Sequence, residues 1–222
     1  MILKLLMAWA GGYLLGSIPP GIFWARVIKH IDVRDHGSGR TGGSNVWRSA
    51  GFLAAFLTSA CDALKGAAAI WVARALGLDP WAIAIAGALS IVGHNYSIYL
   101  GFKGGAGTMT SVGVAAALWP WTLPMLVGGG LIAVLLVGHT SVSSILVAIA
   151  LPIIFTARGD IPSAVGFGII TMALTLWSLR PNIKRLLKRE ERFIPLYWEK
   201  PPLIRISRHP ADQKSTPKVQ TS

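Results

Sequence analysis

The feature that most constrains this chain is a series of long apolar segments, divided by short polar pieces, that continues to about Leu179. Hydrophobic residues make up 53% of the sequence and charged residues only 14%. A membrane-spanning helix needs about 20 consecutive apolar residues. The 222 residues therefore have room for about six or seven such helices and for no separate soluble domain. We expect an all-α integral membrane protein that crosses the bilayer several times.

Prolines and polar residues divide the apolar sequence into candidate spans. The first contains Pro19-Pro20-Gly21, which should kink or break its last turns. A segment at 110–137 is interrupted by Trp119-Pro120-Trp121, so it could form one kinked helix or two short ones. That first candidate covers about 2–27, and the remaining candidates, in approximate bounds, are 52–76, 80–100, 144–157 and 161–179.

The distribution of positive charge favours the interpretation in which segment 110–137 crosses twice. Of the 21 Lys and Arg residues, Lys4, Arg74 and Arg158 would then lie on one side and Lys65 within a span. All the others would collect on the opposite side, and basic loops are characteristic of the cytoplasmic side. We predict seven transmembrane helices with the N-terminus outside and the polar glycine-rich loops on the cytoplasmic face. The location would be the inner, or cytoplasmic, cell membrane.

The formal net charge of +12 suggests nucleic acid as a partner at first sight. However, the basic residues are concentrated in loops and in the tail, where they are better explained as a topology signal and an anion site. We therefore expect no nucleic-acid partner, and no obligate protein partner is evident. The organisation predicted is a single seven-helix domain over 1–192 and a basic, disordered cytoplasmic tail over 193–222.

A polar loop at 36–49 is the first candidate site. Its glycines, Gly37 and Gly39 among them, allow successive backbone amides to point into one concavity. Side chains add further donors, and charged donors bind phosphate well. A simple turn would not need so many glycines beside arginines, so we predict a phosphate cradle. The contributing side chains are Ser38, Arg40, Ser44, Asn45 and Arg48.

A second glycine-rich loop at 101–110 precedes another apolar segment. Lys103, Gly104, Gly105 and Gly107 would form an anion nest at the start of a helix, where the helix dipole favours a phosphate. The loop lacks the Gly-Lys-Ser/Thr ending of a nucleotide P-loop, and no strand precedes it. We therefore predict phosphate binding, not nucleotide binding.

Three further groups of residues carry chemistry. Asp62 and Lys65 are three apart on a predicted helix, and charges within a span are normally paired, so a structural ion pair near the site is expected. His94 ends the third span, where a structural role is the commoner one. The basic block with Arg180, Asn182 and Arg185 either contacts anionic lipid or contributes to the site. No Ser–His–Asp order, zinc motif or dinucleotide fingerprint appears, so we expect no protein nucleophile, metal or cofactor.

Taken together, these blocks resemble the PlsY family, the membrane acyl-phosphate:glycerol-3-phosphate acyltransferases of bacteria. The resemblance extends over most of the chain to Glu191 and implies seven spans with the N-terminus outside. The matching residues are Gly16-Ser17-Ile18-Pro19, Gly37-Ser38-Gly39, Asn45, Arg48, Asp62, Lys65, Gly66, Gly93-His94-Asn95, Phe102-Lys103-Gly104-Gly105, Gly107, Thr110, Ser141, Ser144, Arg180, Asn182, Arg185 and Glu191.

The resemblance also implies a reaction that needs no coenzyme A and no cofactor. A fatty acyl-phosphate would donate its acyl group to the sn-1 hydroxyl of glycerol 3-phosphate, giving lysophosphatidic acid and phosphate, with the acyl chain in the lipid bilayer. The implied catalytic group is Ser38, His94, Arg48, Lys103 and Asn182. The implied substrate- and phosphate-binding group is Gly37, Gly39, Arg40, Ser44, Asn45, Gly104, Gly105, Gly107, Thr110, Ser141, Arg180 and Arg185.

The chain departs from the family pattern at several positions. Ala106 stands where a phosphate-binding lysine is usual, Leu179 where a histidine is usual, and Arg40 where an asparagine is usual. We hypothesise that Arg40 replaces the charge that Ala106 lacks. Two alternatives remain: a divergent paralogue with another phosphorylated acceptor, or a non-catalytic binder or transporter of phospholipid precursors. A transporter should show binding groups at the midplane and paired broken helices, which the sequence does not suggest.

Overall fold

The computed structural model describes residues 1–207, and its regular structure there is entirely helical, as predicted. Residues 208–222, which belong to the predicted tail, lie outside the described residues. The α-helices within residues 1–207 are α1 (Ile2–Ser17), α2 (Pro20–Lys29), α3 (Gly43–Ala50), α4 (Phe52–Ala75), α5 (Pro80–Asn95), α6 (Thr108–Leu118), α7 (Thr122–Val137), α8 (Thr140–Ala157), α9 (Pro162–Ser178) and α10 (Arg180–Leu187).

Proline accounts for the main breaks between helices. Pro19 separates α1 from α2, and Pro20 begins α2, where its missing N–H is not needed. Trp119 is extended, with φ −145° and ψ 111°, as expected for a residue that precedes a proline. It ends α6, so the segment that the sequence left open forms two helices, α6 and α7.

Several helices are long and apolar enough to cross a membrane. In the described residues there are four, or up to five if α9 and α10 count as one bent span. The first of the four joins α1 and α2 into Ile2–Lys29, and α6 and α7 are shorter apolar helices. The chain therefore has the composition and helix lengths of a multi-pass membrane protein.

Two short helices lie where the sequence predicted only loop or basic tail. Helix α3 occupies the second half of the predicted loop at 36–49, which corrects that prediction. It forms because Val46 and Ala50, four residues apart, are both buried against Ile22 and Val33. Helix α10 contains most of the basic block that follows α9.

Close packing of α4 on α6 brings the second glycine loop over the middle of α4. A Cβ at Gly113 would lie 1.8 Å from the carbonyl oxygen of Ala63, and one at Gly66 would lie 2.3 Å from that of Thr110. Only glycine fits at these contacts, and small residues of this kind are typical of helix packing in membranes. The completely buried Thr110 therefore lies inside the bundle, not in the loop as the sequence suggested.

The described part of the predicted tail, residues 193–207, packs against the bundle. The backbone N–H of Ile194 donates to the carbonyl of Gly138 at 3.0 Å, and that of Ile204 donates to Leu136 at 2.9 Å. Phe193 and Ile194 are buried. This differs from the expectation of a disordered tail from residue 193, because a few apolar residues suffice to anchor the segment.

Candidate active site

The first loop is organised by one buried amide. Asn45 is 1% exposed, and its Nδ2 group lies 2.9–3.1 Å from the carbonyls of Val33, His36 and Arg40. Its Oδ1 accepts a hydrogen bond of 2.9 Å from the backbone N–H of Ser38. Gly37 has φ +59°, and a Cβ there would lie 2.3 Å from Asn45 Oδ1. The side chain of Asn45 therefore holds the loop together and is not presented to a ligand, which corrects its predicted role.

The two glycine loops share one cavity of about 590 Å³. Ser38 contributes from the first loop, and Lys103 from the second. Arg34 also reaches this cavity, but its guanidinium is paired with Asp32 at 2.8 Å and holds the pKa of that carboxyl well below its usual range. Lys103 has no carboxylate within 4 Å among the described residues. The cavity thus combines a hydroxyl, glycine backbone and an unpaired ammonium group. Its lining residues are Arg34, Asp35, Ser38, Gly39, Thr41, Leu100, Gly101, Lys103 and Gly104.

A second cluster surrounds the buried carboxylate of Glu191. Asn182 Nδ2 donates to Glu191 Oε1 at 3.0 Å, and Arg185 Nε donates to Oε2 at 2.9 Å. Arg48 of α3 lies near the same carboxylate, and burial together with the charge of Arg192 lowers the pKa of its guanidinium to about 10. Arg48 Nε and Asn182 Oδ1 are both buried without a hydrogen-bond partner. Buried polar atoms normally have partners, so this cluster has capacity for a polar ligand.

The hinge between α7 and α8 adds buried polar groups that also lack a partner. Ser141, which the sequence selected, is 3% exposed, and its hydroxyl has no hydrogen-bond partner. His139 was not selected, yet it is completely buried, with Nδ1 3.0 Å from the carbonyl of Arg192 and Nε2 unpartnered. Its ring lies 4.3 Å from that of Phe193, and burial lowers its pKa. The hinge is therefore tied to the segment that carries Glu191.

The predicted ion pair forms and includes a third residue. Lys65 Nζ lies 2.8 Å from Asp62 Oδ1 and 2.9 Å from His94 Nδ1. Lys65 also donates to the carbonyl of Ile18 at 2.8 Å, where α1 ends. The ring of His94 lies directly behind the second loop, because a Cβ at Gly105 would be 2.0 Å from His94 Nε2. His94 therefore supports the loop from inside the bundle.

Arg40 connects three distant pieces of chain. Its Nη2 donates to the carbonyl of Ser178 at 2.6 Å, and Ser178 Oγ donates to the carbonyl of Gly105 at 3.1 Å. Burial and the nearby charge of Arg185 lower the pKa of Arg40. The first loop, the second loop and the end of α9 consequently meet at one end of the bundle, which we call the loop end.

Some of the predicted residues have other positions or roles. Arg180 stacks its guanidinium 3.2 Å above the Trp177 ring and is exposed, away from Glu191. Gly107 has φ +82° and begins α6, while Gly104 lies against the carbonyl of His94. Ser44 is half-buried in the first turn of α3.

Sequence reasoning missed Asn95, Ser178 and His139 as polar residues of the site. Asn95 is 4% exposed beneath the second loop, and both of its amide atoms are buried without a partner. It belongs to the Gly93-His94-Asn95 block that carries the family resemblance, and that block was the available signal. Ser178 is the last residue of α9 and His139 caps the start of α8, and no local pattern at such positions distinguishes a site residue from a cap.

An apolar groove of about 660 Å³ opens between α1, α2 and α4. Its walls are mostly hydrocarbon, and its charged lining residues are Lys65 of the ion cluster and Arg26 near the loop end. The lining residues of the groove are Leu15, Ile18, Pro19, Pro20, Ile22, Phe23, Trp24, Arg26, Val27, Cys61, Leu64, Lys65 and Ala68.

In the described residues, no group of three His, Cys, Asp or Glu side chains could hold a metal ion.

The fold and the site together define a helical, multi-pass integral membrane protein whose polar loops and buried arginines gather at one end of the bundle, beside an apolar groove. The chain belongs to the glycerol-3-phosphate acyltransferase family, whose model matches residues 6–189. This finding confirms the resemblance inferred from the sequence.

Relatives and solved structures agree with this membership. A glycerol-3-phosphate acyltransferase of Synechococcus sp. (strain JA-3-3Ab) is 40% identical over 90% of this chain and 98% of the relative. One from Thermus thermophilus is 37% identical over 81% of this chain and 90% of the relative. The crystal structure of PlsY (YgiH), an integral membrane glycerol 3-phosphate acyltransferase, in its glycerol 3-phosphate form superposes with a TM-score of 0.79. It is 33% identical and covers 85% of this chain and 94% of that chain.

Proposed function

We propose that this protein transfers a fatty acyl group from an acyl-phosphate to the sn-1 hydroxyl of glycerol 3-phosphate, giving lysophosphatidic acid and phosphate. The observation that carries the proposal is the meeting of two clusters of cationic and polar groups at the loop end. One contains Ser38 and Lys103, and the other contains Arg48 and Asn182. The matching PlsY structures are described in a glycerol 3-phosphate form and a lysophosphatidic acid form, which supports the acceptor and the product.

The chemistry fits such a site because both substrates carry a phosphate. The sn-1 oxygen attacks the acyl carbon, the bond from that carbon to the phosphate oxygen breaks, and a substrate phosphate oxygen takes the hydroxyl proton. Phosphate leaves readily from a mixed anhydride, so no protein nucleophile is needed. Catalysis then depends on orienting the two headgroups and on stabilising the developing negative charge.

The proposed roles follow the two clusters. The glycine backbone at Gly37, Gly39 and Gly104, with Ser38 and Lys103, holds one phosphate. Arg48, Asn182, Ser141 and Arg185 hold the other, and two buried groups without partners, the Nε–H of Arg48 and the hydroxyl of Ser141, would donate hydrogen bonds to its oxygens. Asn45, His94, Asp62 and Lys65 position the loops without contacting substrate.

The apolar groove between α1, α2 and α4 is proposed to hold the acyl chain. Because its walls are mostly apolar, an acyl chain could replace a membrane lipid there at little cost in free energy. Arg26 lies at the end of the groove nearest the loops. Burying each CH₂ of an acyl chain away from water is worth about 0.8 kcal/mol, so the chain stays in the apolar phase while the headgroup reacts at the surface.

We further propose that a single domain of residues 1–192 crosses the inner, or cytoplasmic, cell membrane seven times. In this topology α6 and α7 each cross, the N-terminus is outside, and the loop end faces the cytoplasm. The distribution of basic residues supports it, because Lys4, Arg74 and Arg158 alone would lie on the outer side.

The test is an assay of the purified protein with palmitoyl-phosphate and glycerol 3-phosphate, following released phosphate and lipid product together. Equal amounts of phosphate and lysophosphatidic acid are expected, with no transfer from palmitoyl-CoA. Arg48→Gln should abolish most of the activity, while Gly129→Ala, which has open space around it, should not. Phosphate release without lipid product would mean hydrolysis and would overturn the proposal.

A second candidate is the same transfer to another phosphorylated acceptor. Hydrogen bonds join Arg40 to Ser178 and Ser178 to Gly105. The neighbouring residues Ala106 and Leu179 have only hydrocarbon side chains, where a polar side chain could have bound the acceptor. The same assay with other phosphorylated polyols distinguishes the two, because a higher kcat/KM than with glycerol 3-phosphate would select this candidate.

A further inference from the structure

The junction of α9 and α10 turns the chain toward the membrane surface. The two helices together form one candidate span that is bent by 62° at Leu179. Since α9 has the composition of a span, a bend of this size directs α10 along the bilayer surface at the loop end. Trp177 lies in the last turn of α9, is 55% exposed and carries the Arg180 guanidinium over its ring. Tryptophan is enriched at the level of the lipid headgroups.

Helix α10 has two faces of different character. Asn182 and Arg185 are three residues apart and both bind Glu191, so they define the inner face. Arg180, Lys184, Leu187 and Lys188 follow helical spacing on the opposite side, which we call the outer face of α10. All four are exposed, and Leu187 is 81% exposed.

The outer face has no protein counter-charge. Arg180, Lys184 and Lys188 have no carboxylate within 4 Å among residues 1–207. Helix α10 itself contains no acidic residue. The outer face thus combines three cations with an exposed leucine and a tryptophan at the end of a span. This combination is complementary to the surface of a bilayer, which has anionic headgroups outside and an apolar layer just beneath.

We propose that the outer face of α10 binds the anionic phospholipid headgroups of the bilayer and thereby holds the inner face on Glu191. Free phosphate fits less well, because the cations are spread along the helix and do not converge on one point. The exposed Leu187 between them would gain from insertion at the headgroup boundary. The basic block thus serves both roles that the sequence left open, one on each face.

Lipid binding would affect the reaction through Asn182 and Arg185. Both belong to the proposed phosphate site, and both move with α10. Only this consequence rests on the proposed function, and the lipid contact itself does not. We expect the reaction to depend on the anionic fraction of the membrane, since each basic residue near such a surface contributes about a fivefold preference.

The first experiment detects contact between α10 and lipid by fluorescence and does not depend on enzyme activity. In a Cys61→Ala background, an environment-sensitive fluorophore is attached to the cysteine of a Leu187→Cys variant. The labelled protein is reconstituted in phosphatidylcholine nanodiscs that contain 0 or 30% phosphatidylglycerol. We expect a blue shift with phosphatidylglycerol that 0.5 M NaCl reduces and that Lys184→Gln/Lys188→Gln removes. The matched control is Lys29→Gln/Lys200→Gln, which removes the same charge from two other exposed lysines. Equal emission in both lipids, or an equal loss in the control, would overturn the proposal.

The second experiment measures acyl transfer in the same nanodiscs. We expect kcat/KM to rise about tenfold with 30% phosphatidylglycerol in the parent protein, and to respond weakly in Lys184→Gln/Lys188→Gln. Absence of any transfer would reject the proposed function and leave the fluorescence result standing. A blue shift with unchanged kcat/KM would reject the coupling from the outer to the inner face. Inorganic phosphate added to neutral nanodiscs should produce no shift, and a shift would assign the face to free anions.

Discussion

The guanidinium of Arg40 donates a hydrogen bond of 2.6 Å to the backbone carbonyl of Ser178, a residue 138 positions further along the chain. The hydroxyl of Ser178 in turn donates to the carbonyl of Gly105. This connection joins both glycine loops to the end of α9. Because only one of the five guanidinium N–H donors of Arg40 is used in a hydrogen bond that the structure describes, the others remain for an anion.

The first prediction concerns the charge of Arg40. Arg40→Asn should raise KM for glycerol 3-phosphate tenfold to hundredfold, because a charge-assisted contact is worth about 1.5–3 kcal/mol. Adding Ala106→Lys should recover much of this loss, since residue 106 follows Gly105 directly and a lysine there could supply the missing cation. If the double variant binds glycerol 3-phosphate no better than Arg40→Asn, compensation between the two positions is wrong.

The second prediction concerns the contact between Gly105 and His94. In Gly105→Ala the new methyl group would lie 2.0 Å from His94 Nε2, so either the ring or the loop must shift. A displacement of about 1 Å in a positioning element costs on the order of 100-fold in rate. We expect kcat/KM to fall by this order while Gly129→Ala, which has nothing within 4 Å, keeps the parent value. Parent-like kinetics of Gly105→Ala would show that the loop is not held by His94.

The long apolar helices could be predicted from the sequence, whereas the short helices could not. Segment 52–76 was expected and α4 is Phe52–Ala75, because apolar length and flanking glycines set its bounds. Helices α3 and α10 have eight residues each. Helices of that length are unstable alone and form only through tertiary contacts, which no local pattern encodes.

The types of the site residues were predictable, but their roles were not. Glycine and basic residues selected both loops, and the structure brings Ser38 and Lys103 to one cavity. Composition cannot tell whether an amide faces a ligand or its own backbone, so the sequence predicts a substrate contact for Asn45, whereas its side chain binds the loop backbone. Likewise, only the orientation of α10 separates Arg185, which binds Glu191, from Arg180, which stacks on Trp177.

The third prediction concerns the buried ion cluster. Lys65→Met leaves Asp62 and His94 buried without their cation, and removing one partner of a buried pair costs about 3–5 kcal/mol. Combining it with Asp62→Asn removes the uncompensated charge, so the double variant should be more stable than Lys65→Met alone. The measurement is thermal unfolding in detergent. Additive losses in the double variant would contradict a coupled pair.

The fourth prediction concerns His139 and the pH dependence of stability. His139 is completely buried at the hinge, and burial lowers its pKa although the Arg192 carbonyl and Glu191 favour the charged form. In the unfolded chain a histidine takes up its proton near pH 6.5. At pH values below about 6.5, the histidine therefore binds a proton more readily in the unfolded state than in the folded state. The free energy of unfolding should consequently fall as the pH is lowered below about 6.5. Above that pH, this histidine should not reduce the free energy of unfolding.

Thermal unfolding in detergent between pH 8 and pH 5 checks this fourth prediction. His139→Gln should be less stable at pH 8, because glutamine cannot reproduce the ring contact with Phe193, but its Tm should depend less steeply on pH below about 6.5. His36→Gln is the matched control, since His36 is exposed, and it should keep the slope of the parent protein. An unchanged slope in His139→Gln would show that another group carries the acid sensitivity and that the folded protein protonates the hinge histidine as readily as the unfolded chain does.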